Sequence, residues 1–298
     1  MADYERRVFK GMGRFLYSNP NDEYHDALRS PFRIWYDYLR ISKDYWWVCQ
    51  QNGNTLDADL HNMWKDFGNV FEMHFLNWWK EIGRNLFAEQ VSLPRVRHID
   101  ESTSIHPDTD RHVIVEIPLN LTERTIGRQV MEIVRAHPNR LVKPVSNAKR
   151  PLAKLRGIRL AVLRDAHTIW CLKELIELAK KEKLHVNSPF DKMTYQKIGI
   201  ALRVVRSCMP KHTDSEEKER IKRVGMKVGV QRMLNRANAI ISNAEIGIFP
   251  SIAPVAKRER WTAEQQSALD EAIANDVWRS PEVDEQHFRY IVRKSFHL

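Results

Sequence analysis

The chain has 298 residues, a net charge of +10 and a hydrophobic content of 43%, which suffices for a packed core and argues against wholesale disorder. Three widely spaced cysteines exclude a disulfide framework, and neither an apolar leader nor a run of about 18 apolar residues is present. These features predict a cytoplasmic protein without a membrane span. Glycine and proline are scarce and the apolar spacing is mostly helical, so we expect a mainly α fold.

Residues 1–95 read as a helical N-terminal domain. A first helix is predicted from Phe32 to Gln50, entered through Ser30-Pro31 and ended by Asn52-Gly53, a pair suited to left-handed backbone. A second, sustained helix is predicted from Thr55, as its cap, to about Ala88. Gly68 and Gly83 are the positions where we expect it to bend.

Six of the nine tryptophans lie in this domain, between residues 35 and 79. A stacking platform for single-stranded nucleic acid would interleave such rings with Lys and Arg, but residues 1–100 carry a net charge of −1. We therefore interpret the tryptophans as the core of packed helices. If these helices also bind a partner, a protein is favoured over a nucleic acid.

Residues 96–142 read as a small α/β connector. One strand is predicted over 112–117, with 95–99 or the same strand of a second copy as its partner. A helix capped by Thr122 is predicted from Glu123 to about His137. Three histidines lie nearby at spacings too wide for a compact metal motif, so we expect no metal site: His98, His106 and His112.

Residues 143–260 form a basic block with 26 Lys/Arg against 11 Asp/Glu, whereas the flanking regions are neutral to acidic. Helices are predicted over roughly 152–183, which is one long helix or two in tandem, and over 194–202, capped by Asp191 or Thr194. In the second helix Gly199 lies where a helix-turn-helix needs a small residue for close crossing. A polyanion partner is favoured for this block.

A helix from about Glu216 to Ala244 has no acidic residue after Glu219 and is predicted to be the recognition helix. The apolar side chains predicted to complement the cations of this helix are Ile221, Val224, Val228, Val230, Leu234, Ala237, Ile240 and Ile241. The candidate nucleic-acid contacts on this helix are Lys222, Arg223, Lys227, Gln231, Arg232, Asn235 and Arg236. Three further candidates lie on the first half of the helix predicted over 152–183: Lys154, Arg156 and Arg159.

Two motifs of this block, Met193–Leu202 (MTYQKIGIAL) and Arg236–Phe249 (RANAIISNAEIGIF), resemble helix-turn-helix-bearing proteins of bacterial phages and mobile elements. The resemblance covers about residues 150–250. It implies a basic, helix-turn-helix-like C-terminal domain that binds DNA. The connection between the two helices is longer than in a usual helix-turn-helix.

Residues 261–298 read as a C-terminal helical tail with a capping box at Thr262 and Gln265 and a last helix from Pro281. No nucleotide-binding, hydrolase or metalloprotease motif is present, and Asp165, His167 and Tyr195 are more simply structural, so we expect neither catalytic residues nor a cofactor.

The function predicted is non-enzymatic binding of nucleic acid, with DNA favoured, in a regulatory or architectural role, by a chain that can form a homo-oligomer. The alternatives are an interaction subunit of a larger phage-related or defence complex and, with less support, a metal-dependent nuclease.

Overall fold

The computed structural model of the chain describes residues 7–14, 17, 19–89, 113–137, 146–153, 159–181, 194–275 and 277–278. Its described residues are mainly helical and contain no strand, which confirms the predicted class. Two compact units are present: residues 1–89 with 148–298 form the first, and residues 90–147 form the second.

Four helices follow one another in the first unit: α1 (Pro20–Arg29), α2 (Pro31–Arg40), α3 (Lys43–Gln50) and α4 (Ala58–Phe67). Each begins after a side chain that accepts a hydrogen bond from a first-turn N–H: Asn19, Ser30, Ser42 and Asp57. The helix predicted over 32–50 is therefore two helices, because Ser42 caps a new one. Asn52 and Gly53 have positive φ, as predicted.

The single long helix predicted over 55–88 was wrong. Gly68 has φ +65° and ends α4, and its N–H donates to the Trp64 carbonyl at 2.8 Å. The chain becomes helical again through α5 (Phe75–Trp78), a π-helical turn (Trp79–Gly83) and α6 (Arg84–Phe87). The cap of α4 is Asp57 and not Thr55.

The second unit contains α7 (Glu123–Ala136), which is capped by Thr122 as predicted. The strand predicted over 112–117 is not formed where the structure describes it, from Val113 onward. A strand needs a hydrogen-bonded neighbour, and its proposed partner at 95–99 lies outside the described residues.

The basic part of the first unit folds as α8 (Leu160–Lys181), α9 (Tyr195–Ala201), a 3-10 turn (Arg206–Cys208) and α10 (Glu216–Glu245), with α11 (Ala263–Ala274) after it. Caps at Thr194, Ser215 and Thr262 set the starts of the last three α-helices, and Gln265 completes the predicted capping box. The helix predicted from Pro281 lies outside the described residues.

One aromatic core joins the N-terminal helices to the basic helices. Trp35 stacks on Phe249, with ring centroids 5.2 Å apart, and its indole N–H donates to the Ala244 carbonyl. The Tyr38 hydroxyl donates to the Leu163 carbonyl at 2.9 Å. Residues of 1–95 and of 143–260 therefore share one core.

Candidate nucleic-acid interface

Helix α10 is both the centre of the first unit and the carrier of the predicted interface. It packs against α2, α8 and α9. Its N-cap is Ser215, and three glutamates in its first turn complement the helix dipole. The face that points into the core consists of Met226, Val230, Leu234, Ala237, Ile240 and Ala244.

The predicted close crossing at Gly199 of α9 is present. A Cβ at this position would clash with Met226 of α10 and would lie 3.0 Å from Val230 Cγ2. The connection 202–215 then runs along the same helix, where Cβ atoms at Gly225 and Gly229 would meet the side chains of the connection. The two helices thus cross closely, and a long connection lies between them.

Of the seven candidates on α10, five are exposed, and the other two are partly buried: Lys222 and Arg236. The exposed ones are Arg223, Lys227, Gln231, Arg232 and Asn235. The helix turns by about 100° per residue, so these exposed side chains point in several directions, and Arg223 and Arg232, nine residues apart, lie on opposite sides of the helix.

The side chains of the candidates differ in how freely they can meet a ligand. Lys222 Nζ donates to Asp214 Oδ2 at 2.6 Å and to the Met209 carbonyl at 3.0 Å, which ties it to the connection. Arg223 forms an exposed ion pair with Glu219 at 2.9 Å, which screens it only weakly. Lys222 therefore stabilises the connection before α10, and the exposed cations remain the candidates for contact with phosphate.

The predicted apolar complement of α10 was wrong in its first half. Ile221, Val224 and Val228 are 62%, 56% and 43% exposed. The core face in this region is formed by Met226, which was not predicted, and by Val230, which was, because α9 and the connection pack against that side. Apolar side chains and cations thus alternate on the solvent face.

The three candidates outside α10 are not brought into this face by any described contact. Arg159 is exposed and immediately precedes α8, while Lys154 and Arg156 lie outside the described residues. Arg220 belongs to the exposed basic set but was not selected from the sequence. Its spacing of three and seven from Arg223 and Lys227 is the signal that could have found it.

A cleft of about 900 Å³ opens beside α10, between α8, α9 and residues 255–263. Trp170 and Trp261 line it, but both rings are more than nine-tenths buried and their N–H groups are used by Asn238 and Asp44. These rings offer little surface for stacking a base.

A buried charge cluster closes one end of the cleft. Glu245 accepts hydrogen bonds from Ser42 and from Arg260 at 2.5 and 2.6 Å, and Arg260 also pairs with Asp44. Burial raises the pKa of Glu245 above its usual value, and the charge of Arg260 only partly offsets that effect. The charges of Glu245 and Asp44 in turn raise the pKa of Arg260, against the effect of its burial.

The tryptophan-rich region forms core, as the sequence interpretation held. Trp35, Trp78 and Trp79 are fully buried, and Trp47 is 8% exposed. Trp46 and Trp64 are partly buried and pack against the same core. No stacking platform is present among these six rings.

The residues considered for catalysis do not form a site. Asp165 is exposed, and partial desolvation raises its pKa. His167 Nδ1 lies 3.8 Å from Cys171 Sγ in the packing around Tyr38, whereas Tyr195 lines the cleft. Among the described residues no group of three His, Cys, Asp or Glu side chains could hold a metal ion.

Comparisons with protein-family models, with curated proteins and with solved structures give no match. The resemblance to helix-turn-helix proteins of phages and mobile elements therefore stays a prediction. No helix within the described ranges is long and apolar enough to cross a membrane.

Proposed function

We propose that the chain binds nucleic acid, with duplex DNA favoured, through the solvent face of α10, and that it acts as a non-enzymatic regulatory or architectural protein. The observation that carries this proposal is the set of exposed cations that follow the acidic first turn of α10: Arg220, Arg223, Lys227 and Arg232. They lie along one helix that is anchored in the core by its buried side chains.

The sign of the charge along this part of the chain supports a polyanion. Residues 194–244 contain eleven Lys/Arg and four Asp/Glu, and all four acids precede Arg220. Phosphates are neutralised by such cations with release of counterions, which supplies most of the free energy of non-specific binding. Gln231 and Asn235, hydrogen-bonded to each other at 3.0 Å, add amide groups of the kind that read base edges.

The proposal is tested by reversing three of these charges together. In the full chain, Arg223→Glu, Lys227→Glu and Arg232→Glu should abolish binding of a fluorescent duplex in anisotropy titrations at low salt. A matched control reverses three exposed cations outside the basic block, Arg29, Lys65 and Lys80, and should bind nearly as well as the unmodified chain. Circular dichroism checks that both variants are folded. The proposal is refuted if both variants lose the same amount of duplex binding, or if the α10 variant binds as tightly as the unmodified chain.

One observation favours a second candidate function, an interaction subunit. Ile221, Val224 and Val228 lie exposed among the cations, a mixture that suits an acidic amphipathic protein surface. Nuclease treatment of the protein as purified separates the two functions. A nucleic-acid protein loses its excess absorbance at 260 nm and its excess mass, whereas an interaction subunit keeps a stoichiometric protein partner.

A further inference from the structure

The second unit leaves an apolar helix face uncovered. No residue between 113 and 137 is buried. Helix α7 nevertheless has an apolar stripe at helical spacing, in which Ile126, Val130 and Val134 are only partly covered, while Met131 and Ile133 are 43% and 45% exposed. The face therefore lacks the packing that an amphipathic helix normally has.

A helix of this length needs such packing. α7 has 14 residues, and isolated helices shorter than about 12–15 residues are marginal in water even when they are rich in alanine. Its Thr122 cap contributes only about 1 kcal/mol. Gly127, in the middle of α7, lowers helix propensity further, and a Cβ there would meet nothing within 4 Å. A partner that packs closely against Gly127 would account both for a glycine in the middle of the helix and for the empty space around it.

The segment before α7 is also unpaired. Val113, Val115 and Ile117 alternate with Ile114 and Glu116, so extended backbone would place the three β-branched residues on one face. Within the described part of the chain none of these residues is in a strand, and their backbone groups have no ladder partner. The pattern is that of a half-buried strand that lacks its neighbour.

We infer that a second copy of this chain is the missing partner. The segments 113–117 of two copies pair antiparallel about Val115, so that Val113 of one copy lies opposite Ile117 of the other, and the two α7 helices cover the apolar face of this ribbon. Antiparallel pairing about a two-fold axis is self-complementary.

The charge and the length of the segment 113–137 fit a second copy of the chain as its partner. Residues 113–137 contain three Arg and three Glu, so two copies meet without net repulsion, whereas the basic residues of 194–244 would repel each other. A stable interface uses roughly 20–30 residues and about 800 Å² on each side. The segment 113–137 has 25 residues, which falls within that range of residue numbers. The inference does not depend on the proposed function, because it uses none of the residues of α10.

Cross-linking the full chain tests the pairing directly. In a Cys208→Ser background, Val115→Cys should give a disulfide-linked dimer on mild oxidation, because directly opposed residues of an antiparallel pair have Cα atoms about 4.5–5.5 Å apart. The matched control, Asn120→Cys, is exposed but lies beyond Pro118 and away from the two-fold axis, so it should give no disulfide-linked dimer. Equal cross-linking of both variants overturns the pairing.

Sedimentation over a range of concentrations tests the helix face. The unmodified chain should dimerise, and Val130→Glu should weaken the dimer by more than 100-fold. Gly127→Leu should raise the helix propensity of α7 yet also weaken the dimer, which an effect on helix stability alone would not do. The inference is overturned if the chain is monomeric at all concentrations or if the dimer survives both substitutions. It is also overturned if the chain is a monomer that co-purifies with a different protein in fixed stoichiometry.

Discussion

The salt dependence of binding gives the sharpest prediction for α10, since it counts the phosphates that the helix contacts. Four exposed cations follow the acidic first turn of α10: Arg220, Arg223, Lys227 and Arg232. Each neutralised phosphate of duplex DNA contributes about −0.9 to the slope of log affinity against log salt, so four contacts give about −3.6. Between about 50 and 200 mM salt the affinity should fall roughly 150-fold.

Two lysines of the same helix provide a matched comparison. Lys227→Ala removes one exposed cation and should reduce the slope to about −2.7, which leaves a fall of roughly 40-fold over the same interval. Lys222→Ala removes an equal charge, but Lys222 is already paired with Asp214 at 2.6 Å, so it should leave the slope near that of the unmodified chain.

Fluorescence anisotropy with one duplex at four or five salt concentrations measures all three slopes. A slope near zero for the unmodified chain would refute the assignment of these cations to phosphate. The assignment would also be refuted if the Lys222 variant lost as much of the slope as the Lys227 variant. The burial and pairing of Lys222 would then make no difference to binding.

Four further predictions concern stability, measured by denaturant unfolding. Because burial raises the pKa of Glu245, the folded chain binds that proton more tightly, so the chain should lose stability relative to Glu245→Gln as the pH rises from about 4 to 7. Burial alone would raise the pKa of Asp66, but hydrogen bonds from its basic neighbours lower it. Asp66→Asn should therefore destabilise at neutral pH, and the difference should narrow below about pH 4. The opposite pH trend in either variant would contradict the assigned direction. Gly199→Val should cost about 1–3 kcal/mol, since its side chain must displace α10, and a neutral result would mean that the helices do not cross closely there. Trp78→Phe should cost about 1 kcal/mol more than Trp47→Phe, because Trp78 loses a 2.7 Å hydrogen bond to the Phe67 carbonyl, whereas the buried N–H of Trp47 has no partner among the described residues; equal costs would refute this reading.

Helix starts were the most predictable part of the fold, because they are set by local chemistry. Ser30-Pro31, Thr122 and Thr262 each began the helix that the sequence predicted. Helix lengths were less predictable. The apolar spacing of 55–88 continues past Gly68, and spacing alone does not reveal that Gly68 takes a positive φ and ends α4.

The candidate site was predicted in part for a similar reason. Spacing placed the basic residues on one helix, but the side that meets the core depends on which segments pack against it. Because α9 and the connection cover Met226 and Val230, Ile221 and Val224 were left exposed although they are equally apolar. Lys222 stabilises the fold through an ion pair with Asp214, and the spacing of residues along the helix does not reveal such a contact.

Different residues of α10 hold the fold and are proposed to bind nucleic acid. Its core side is fixed by Val230, Leu234 and Ala237, which are buried, and its C-terminal end by Glu245, which is hydrogen-bonded to Ser42 and Arg260. Charges on the solvent side contribute little to stability, since exposed ion pairs contribute only about 0–1 kcal/mol. Reversal of the exposed charges should therefore change binding while leaving the free energy of unfolding nearly constant. A variant that lost both together would show that the solvent face also has a structural role.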